Sequence, residues 1–390
     1  MKLLNIILCQ ILCLFTMSIL CSCNNDEPEQ PIPPVKFPER TVLVYMVAAC
    51  DLGQGRADIN DIAEMRTAAM AGKLGNNRWI IYHSTTSGSN LLELTAEGDT
   101  VVLKNYPKGY SVKIARMSEV IDDTKALAPA NSYGMVFWSH GTGWIEDGID
   151  DESTIHPQSF GSDFGETMNI TSLRQALHDK DLDYLYFDCC LMGSIEVVYE
   201  LRDCARYIVS SPSELPWNGM PYNENLEYLV DGSREALVNA ATNTFNHYNN
   251  LTSAYDRSCT MSVIDTEKIE ALAVATAAIY DVTPLEHPLN VVTNYYGRDT
   301  SRQAKYLDFG EYINALCNYN NVDNELATVF NNALADVVIF EDSTEKLWNN
   351  WPMYSTCGLS TRVFNHPDNI NLDGYNRLQW TIDVVSHHIH

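Results

Sequence analysis

Residues 133–144 read Tyr-Gly-Met-Val-Phe-Trp-Ser-His-Gly-Thr-Gly-Trp, an apolar run from Tyr133 to Ser139 that passes directly into His140 between small, turn-forming residues. A short run that is apolar at successive positions reads as a strand covered on both faces. The same pattern recurs at Thr41–Ala49 (TVLVYMVAA), Arg78–Ser84, Tyr184–Phe187 and Tyr207–Ser210. Between these runs lie stretches of helical periodicity at Ala57–Ala71, Ser118–Leu127, Thr171–His178 and Ile195–Cys204, with a turn at Asp51–Gly55. Buried strands separated by helices predict an α/β fold with a mostly parallel sheet flanked by helices. Residues 91–106, with Glu97-Gly98-Asp99 between two alternating runs, read as a hairpin inserted in that scheme. Farther on the chain is helix-rich, with helical periods at Ser233–Asn249, Thr266–Tyr280, Leu307–Cys317 and Asn324–Val338 and strand patterns at Cys259–Ile264 and Gly358–Phe364. The texture changes near Tyr222–Gly232, dividing a core of residues 41–221 from a C-terminal part, 222–390, that completes the same domain.

The chain has 390 residues, of which 45% are hydrophobic and 19% charged, enough for a large core. Its net charge of −26 repels phosphate backbones, so nucleic acid is not an expected partner. Eleven cysteines are too sparse for a disulfide scaffold, and outside the first segment no C-x-x-C pair suggests zinc, so no metal ligand set is expected.

Residues 1–22 have the layout of an export signal: Lys2, an apolar stretch from Leu4 to Leu20, then small or sulfur-bearing residues. Leu20-Cys21-Ser22-Cys23 resembles the bacterial lipobox, which implies that Cys23 becomes the lipidated first residue. The competing readings are an ordinary cleaved signal and a single anchoring helix. Residues 23–40 hold five prolines and four acids, and from Asn24 onward should form an extended tether reaching on the order of 50 Å at about 3.1 Å per residue. The expected location is the outer membrane, through the lipid anchor, with the domain facing the periplasm or the surface. Beyond Cys23 seven cysteines remain, an odd number, so at least one thiol must be unpaired.

In an open parallel sheet ligands bind outside the carboxyl ends of the strands. One run ends in His140-Gly141 and another in Asp188-Cys189-Cys190, which places a base and a thiol at two strand ends. A cysteine attacks a carbonyl as its thiolate, and His140 can move the proton. Gly141 leaves its N–H open to a developing oxyanion, and the N–H of Cys190 is a second donor. Asp188, two positions before Cys190, is placed to meet a cationic substrate side chain, and Glu214, after the next strand, is the reserve. The bland readings are an interior histidine, a core cysteine and an Asp188 that caps the helix near Ser194. His156 and His178 read as solvent-facing, and the tail His387-His388-Ile389-His390 as an accidental metal-binding tract.

These motifs together resemble the clostripain-like cysteine peptidases, whose fold is caspase-like. Tyr45–Asp51 with Asp58-Ile59 and Glu64-Met65 is similar to the family's first strand and helix. Ser139–Trp144 resembles its histidine motif and Phe187–Met192 its nucleophile motif. Ser211, Glu214, Pro216, Gly219, Pro221 and Tyr222 match a following loop, and Gly358-Leu359-Ser360 the last strand. The resemblance implies an endopeptidase with His140 and Cys190 as dyad, acting on protein or peptide substrates after arginine or lysine, with Asp188 at the acidic specificity position. No cofactor is implied beyond a calcium option at the acids of Glu146–Glu166, whose spacing matches no ordered calcium loop and reads as a solvated face. Between Gly141 and Leu173 the chain has no lysine or arginine, which departs from relatives that activate by cutting themselves there. The rival reading is a catalytically silent surface lipoprotein, a binding module on the same fold.

Overall fold

A computed structural model describes residues 37–144, 160–283, 295, 306–362 and 372–386. The export signal, Cys23 and nearly all of the tether, the acids Glu146 to Glu152, His156 and the histidine tail lie outside the described residues. In chain order the first half contains β1 (Arg40–Val47), α1 (Asp51–Gln54), α2 (Ala57–Met70), β2 (Arg78–Thr85), β3 (Gly88–Leu94), β4 (Thr100–Tyr106), α3 (Ile114–Leu127), β5 (Ser132–Trp138), β6 (Phe160–Asp163), β7 (Glu166–Met168), α4 (Ile170–Leu177), β8 (Leu182–Asp188), α5 (Ile195–Glu200) and β9 (Ala205–Ser210). There follow α6 (Tyr222–Asp231), α7 (Arg234–Asn249), β10 (Thr260–Asp265), α8 (Ile269–Tyr280), β11 (Leu307–Asp308), α9 (Phe309–Asn320), α10 (Asn324–Val337) and β12 (Val338–Ser343).

Nine strands form one sheet in the order β12-β10-β9-β8-β5-β1-β2-β3-β4. The five central strands, β9, β8, β5, β1 and β2, are mutually parallel. Antiparallel pairs extend both flanks: β3 and β4 on one side, β10 and β12 on the other. The 91–106 hairpin is therefore β3–β4, and the second half of the chain supplies two strands of the same sheet. Every residue of β1 after Arg40 is buried, because successive side chains enter different cores. Val42, Val44, Met46, Val136, Trp138 and Tyr186 pack under α2, α6 and α7. Leu43, Tyr45, Val47, Phe137 and Phe187 pack under α3, α4, α5, α8, α9 and α10. Phe137 and Phe187 stack across β5 and β8 with ring centroids 4.7 Å apart, a contact worth about 0.5–1.5 kcal/mol beyond area burial.

Helix starts follow local chemistry. The side chains of Asn169, Ser194, Ser233 and Asp308 each accept a hydrogen bond from a first-turn backbone N–H. Ser194, not Asp188, caps α5. That helix ends at Glu200, short of the expected Cys204, because the backbone turns at Leu201–Cys204 to start β9. The Asp51–Gly55 turn contains a single helical turn, α1. The strand pattern near 360 reduces to Ser360–Thr361, which pairs with β11 and not with the main sheet. β12 went unseen because its apolar start, Val338-Ile339-Phe340, follows α10 without a punctuating residue. Seven cysteines, Cys50 to Cys357, are thiols in no disulfide. Among the described residues, no helix is long and apolar enough to cross a membrane.

Candidate active site

β5 and β8 are neighbours, and their last paired residues are Trp138 and Asp188. His140 and Cys190 each lie two residues beyond that pair. On the other side of β5, β1 sets Met46 opposite Trp138, so Cys50 and Asp51 emerge at the same sheet edge. The two central turns touch: a Cβ on Gly141 would sit 2.6 Å from the Cys190 carbonyl oxygen and 3.0 Å from the Cys189 Cβ. Only glycine allows that approach. The histidine turn is held by Ser139, whose hydroxyl donates to the Val47 carbonyl (2.9 Å) and accepts the N–H of Ser162 (3.2 Å). The N–H of Gly161 donates to the carbonyl of His140 (3.0 Å).

The turn after Cys190 is strained. Leu191 has φ of 61°, a left-handed conformation costing about 1–3 kcal/mol for such a residue. Two backbone bonds hold it: the Leu191 N–H to the Ser213 carbonyl (2.8 Å) and the Gly193 N–H to the Ser211 carbonyl (2.9 Å). The two cysteines before it point apart, as successive side chains at a strand end do. Cys189 points into the core, its thiol 3.3 Å from the Phe137 carbonyl, and burial pushes that thiol far up. Cys190 is half-buried, and its sulfur accepts the N–H of Leu215 (3.3 Å), a contact that favours charge on sulfur. Of the adjacent pair, Cys190 is the one at the edge.

His140 Nε2 lies 2.6 Å from Asp51 Oδ1, which leaves Nδ1 as the nitrogen able to exchange a proton with a thiol. The His140 and Asp51 side chains are 37% and 65% exposed. Burial raises the Asp51 carboxyl, but the hydrogen bond and charge of His140 outweigh it and hold the group below its ordinary value. Cys50 completes the neighbourhood: its sulfur, an Asp51 oxygen and a His140 ring nitrogen all lie within 4.8 Å of one another. This is the one such set of His, Cys, Asp and Glu donors in mutual reach among the described residues, and it has the mixed donor type that suits a transition metal. Cys50 itself is buried, its sulfur is 3.8 Å from the Val47 carbonyl, and desolvation raises its thiol. Sequence reasoning missed Asp51 and Cys50. Applying the strand-end rule to β1 as well as to β5 and β8 finds both.

Asp188 sits below the rim, 6% exposed. Its carboxylate accepts the Met220 N–H (2.9 Å) and the Tyr222 hydroxyl (3.0 Å), and burial raises it. Gly219 lies directly over it. Glu214 is half-buried in the loop after β9, next to Leu215. The solvent-facing reading of His178 agrees with its 49% side-chain exposure.

The sequence pattern of the Clostripain family matches residues 44–372. Comparison with curated proteins returned no match. Among solved structures, an inactive zymogen of a C11 protease from Parabacteroides distasonis superposes with a TM-score of 0.73 at 25% identity, covering 90% of this chain and 99% of its own. A secreted C11 cysteine protease from Bacteroides thetaiotaomicron, in complex with an irreversible peptide inhibitor, gives 0.73 at 26% identity over 89% and 99%. A second structure of a secreted C11 protease from that organism, 23% identical over 89% and 99%, shares the fold with a TM-score of 0.75. With a match spanning most of the chain and a sheet edge that gathers a histidine and a thiol, the protein belongs to the clostripain family and is a cysteine peptidase.

Proposed function

We propose that this peptidase is an exported endopeptidase that cleaves after arginine or lysine, with Cys190 as nucleophile and His140 as general base and then acid. The observation that carries the reading is the register of β5 and β8, which sets both residues two steps past one strand pair. His140 Nδ1 takes the Cys190 proton, and the thiolate attacks the peptide carbonyl. The N–H groups of Gly141 and Cys190 receive the oxyanion, and the imidazolium returns its proton to the leaving amine. Water then attacks the thioester with His140 again as base. Asp51, 2.6 Å from Nε2, steadies the imidazolium throughout. Asp188 meets the basic side chain, with Glu214 as a neighbouring acid.

The lipobox at Leu20–Cys23 supports a lipid anchor at Cys23, and together with the secreted relative it supports export. Self-cleavage between His140 and Cys190 is not part of the proposal, since that interval has no basic residue before Arg174. The test is a panel of fluorogenic peptides with arginine, lysine, aspartate or leucine before the scissile bond, with and without a thiol alkylator. Turnover of the basic peptides, lost on alkylation and in Cys190→Ala, is expected. No turnover of any peptide would favour the silent binding module. In cells fed a clickable fatty acid, wild type should label and Cys23→Ser should not; label on the variant would remove the anchor assignment.

A further inference from the structure

The inward stripe of α2 consists of Ala57, Asp58, Asp61, Met65, Ala68 and Ala69, and so carries two aspartates where an amphipathic helix would bury apolar residues. Each acid on this side has a different task. Asp58 pairs with His83 of β2 (2.7 Å), and Glu64 accepts the Tyr222 N–H at the start of α6 (2.9 Å). Asp61, 4% exposed, accepts the indole N–H of Trp138 at 2.6 Å.

Trp138 is the register partner of Asp188. Cross-strand partners project from the same face of a sheet, here the face covered by α2 and α6. The indole that Asp61 grips thus stands beside Asp188, and the two carboxylates share one buried space. Burial first, and the Asp188 charge second, push the Asp61 carboxyl well up, as expected of two acids in reach of each other. Their hydrogen-bond donors are an indole, a backbone amide and a phenol, all neutral. Among the described residues neither acid is in a salt bridge, although Asp58 nearby has one. Burying two carboxylates without a cation is costly, and a cation arriving with a ligand removes the cost.

One loop, Trp217 to Met220, covers this space closely. Gly219, at φ 61°, lies so close that a Cβ there would be 2.8 Å from Asp188 Oδ2. Trp217, in the same loop, packs against Gly55, where a Cβ would be 2.3 Å from the indole ring. The loop therefore runs from Asp188 to the turn that begins α2.

Building on the specificity reading above, we infer that Asp61 is a second specificity residue: the substrate's basic side chain is held between Asp61 and Asp188, and two carboxylates in one pocket select arginine over lysine. A guanidinium presents donors in several in-plane directions, whereas an ammonium is a point charge that satisfies one acid well and the other poorly.

The test compares matched fluorogenic peptides with arginine, lysine or citrulline before the scissile bond, citrulline being the neutral isostere of arginine. Asp61→Asn keeps an oxygen for the Trp138 indole, so it removes charge with little change of shape. The variant should lose about ten- to a hundredfold in kcat/KM for arginine relative to citrulline, and its arginine-to-lysine ratio should fall. Asp61→Glu, which restores the charge, should recover part of that preference. An equal loss on all three peptides, the signature of a purely structural role, would overturn the inference, as would an unchanged arginine-to-citrulline ratio. Asp188→Asn separates this idea from the one beneath it. If only Asp188→Asn moves the ratio, Asp61 is not a specificity residue and the basic-residue reading stands. If neither does, that reading itself fails. Should Asp61→Asn not fold, the wild-type enzyme still decides: arginine must be preferred over lysine by about tenfold or more, and parity refutes the two-carboxylate pocket.

Discussion

Asp51 and Asp188 stand at the ends of the two strands that flank β5, within one turn of the same sheet edge, yet their surroundings are opposite. Asp51 is exposed and bonded to the imidazole of His140, which holds its carboxyl low. Asp188 is buried with Asp61 among neutral donors, and desolvation holds both carboxyls high. The lesson is about where the compensating cation comes from. At Asp51 the fold supplies it, in the form of the His140 imidazole, which the proposed mechanism charges during turnover. At Asp61 and Asp188 the fold supplies none among the described residues, which leaves that place to a ligand.

The sharpest way to break this comparison is to neutralise each side and change the substrate. Asp188→Asn should cost up to about a hundredfold on arginine peptides and little on citrulline peptides. Asp51→Asn should cost about tenfold on both alike, because it loosens the imidazole without touching the pocket, and general acid–base catalysis is worth about 10²–10⁴ in rate. If Asp51→Asn changed the arginine-to-citrulline ratio, the two acids would not have separate roles.

A smaller effect appears in stability. For Asp61 the folded carboxyl is raised, so the folded state binds more protons than the unfolded state above the ordinary value of 3.8. Stability then falls as pH rises through that window. Asp61→Asn removes the penalty, and its melting temperature should exceed that of its parent by a margin that grows from pH 4 to pH 8, roughly 1–2 °C for each kcal/mol relieved. For Asp51 the folded carboxyl is lowered, so its contribution is present above 3.8 and lost as pH falls through the lowered value. Asp51→Asn should therefore melt slightly below its parent at neutral pH and match it in acid, by a small amount since the pair is largely exposed and screened. Differential scanning fluorimetry across pH, in a Cys190→Ala background to prevent digestion, reads both. Margins of the same sign at pH 8 would contradict the contrast.

Much of the architecture was legible because burial on both faces leaves an unmistakable trace. Thr41–Ala49, Tyr133–Ser139 and Tyr184–Phe187 could be read as central strands, and the end-of-strand rule then led to His140 and Cys190. The register that makes them neighbours is not written in any local pattern. Asp51 and Cys50 escaped for the same reason, since they approach His140 only through the pairing of β1 with β5. Asp61 escaped for another. A charged residue within a helical period reads as solvent-facing, and here tertiary packing turned it inward against Trp138. The paired cysteines were ambiguous in the sequence, and only the packed structure sets Cys189 in the core and Cys190 at the edge.

The central claim is that Cys190, not its buried neighbour Cys189 nor Cys50 beside His140, carries the chemistry. An irreversible peptide inhibitor with arginine at its reactive end, added to the intact protein, followed by digestion with a second protease and mass-spectrometric mapping of all thiols, tests it in one step. The account predicts one adduct, on Cys190, formed slowly or not at all in His140→Ala. An adduct on Cys50 with Cys190 unmodified would contradict it.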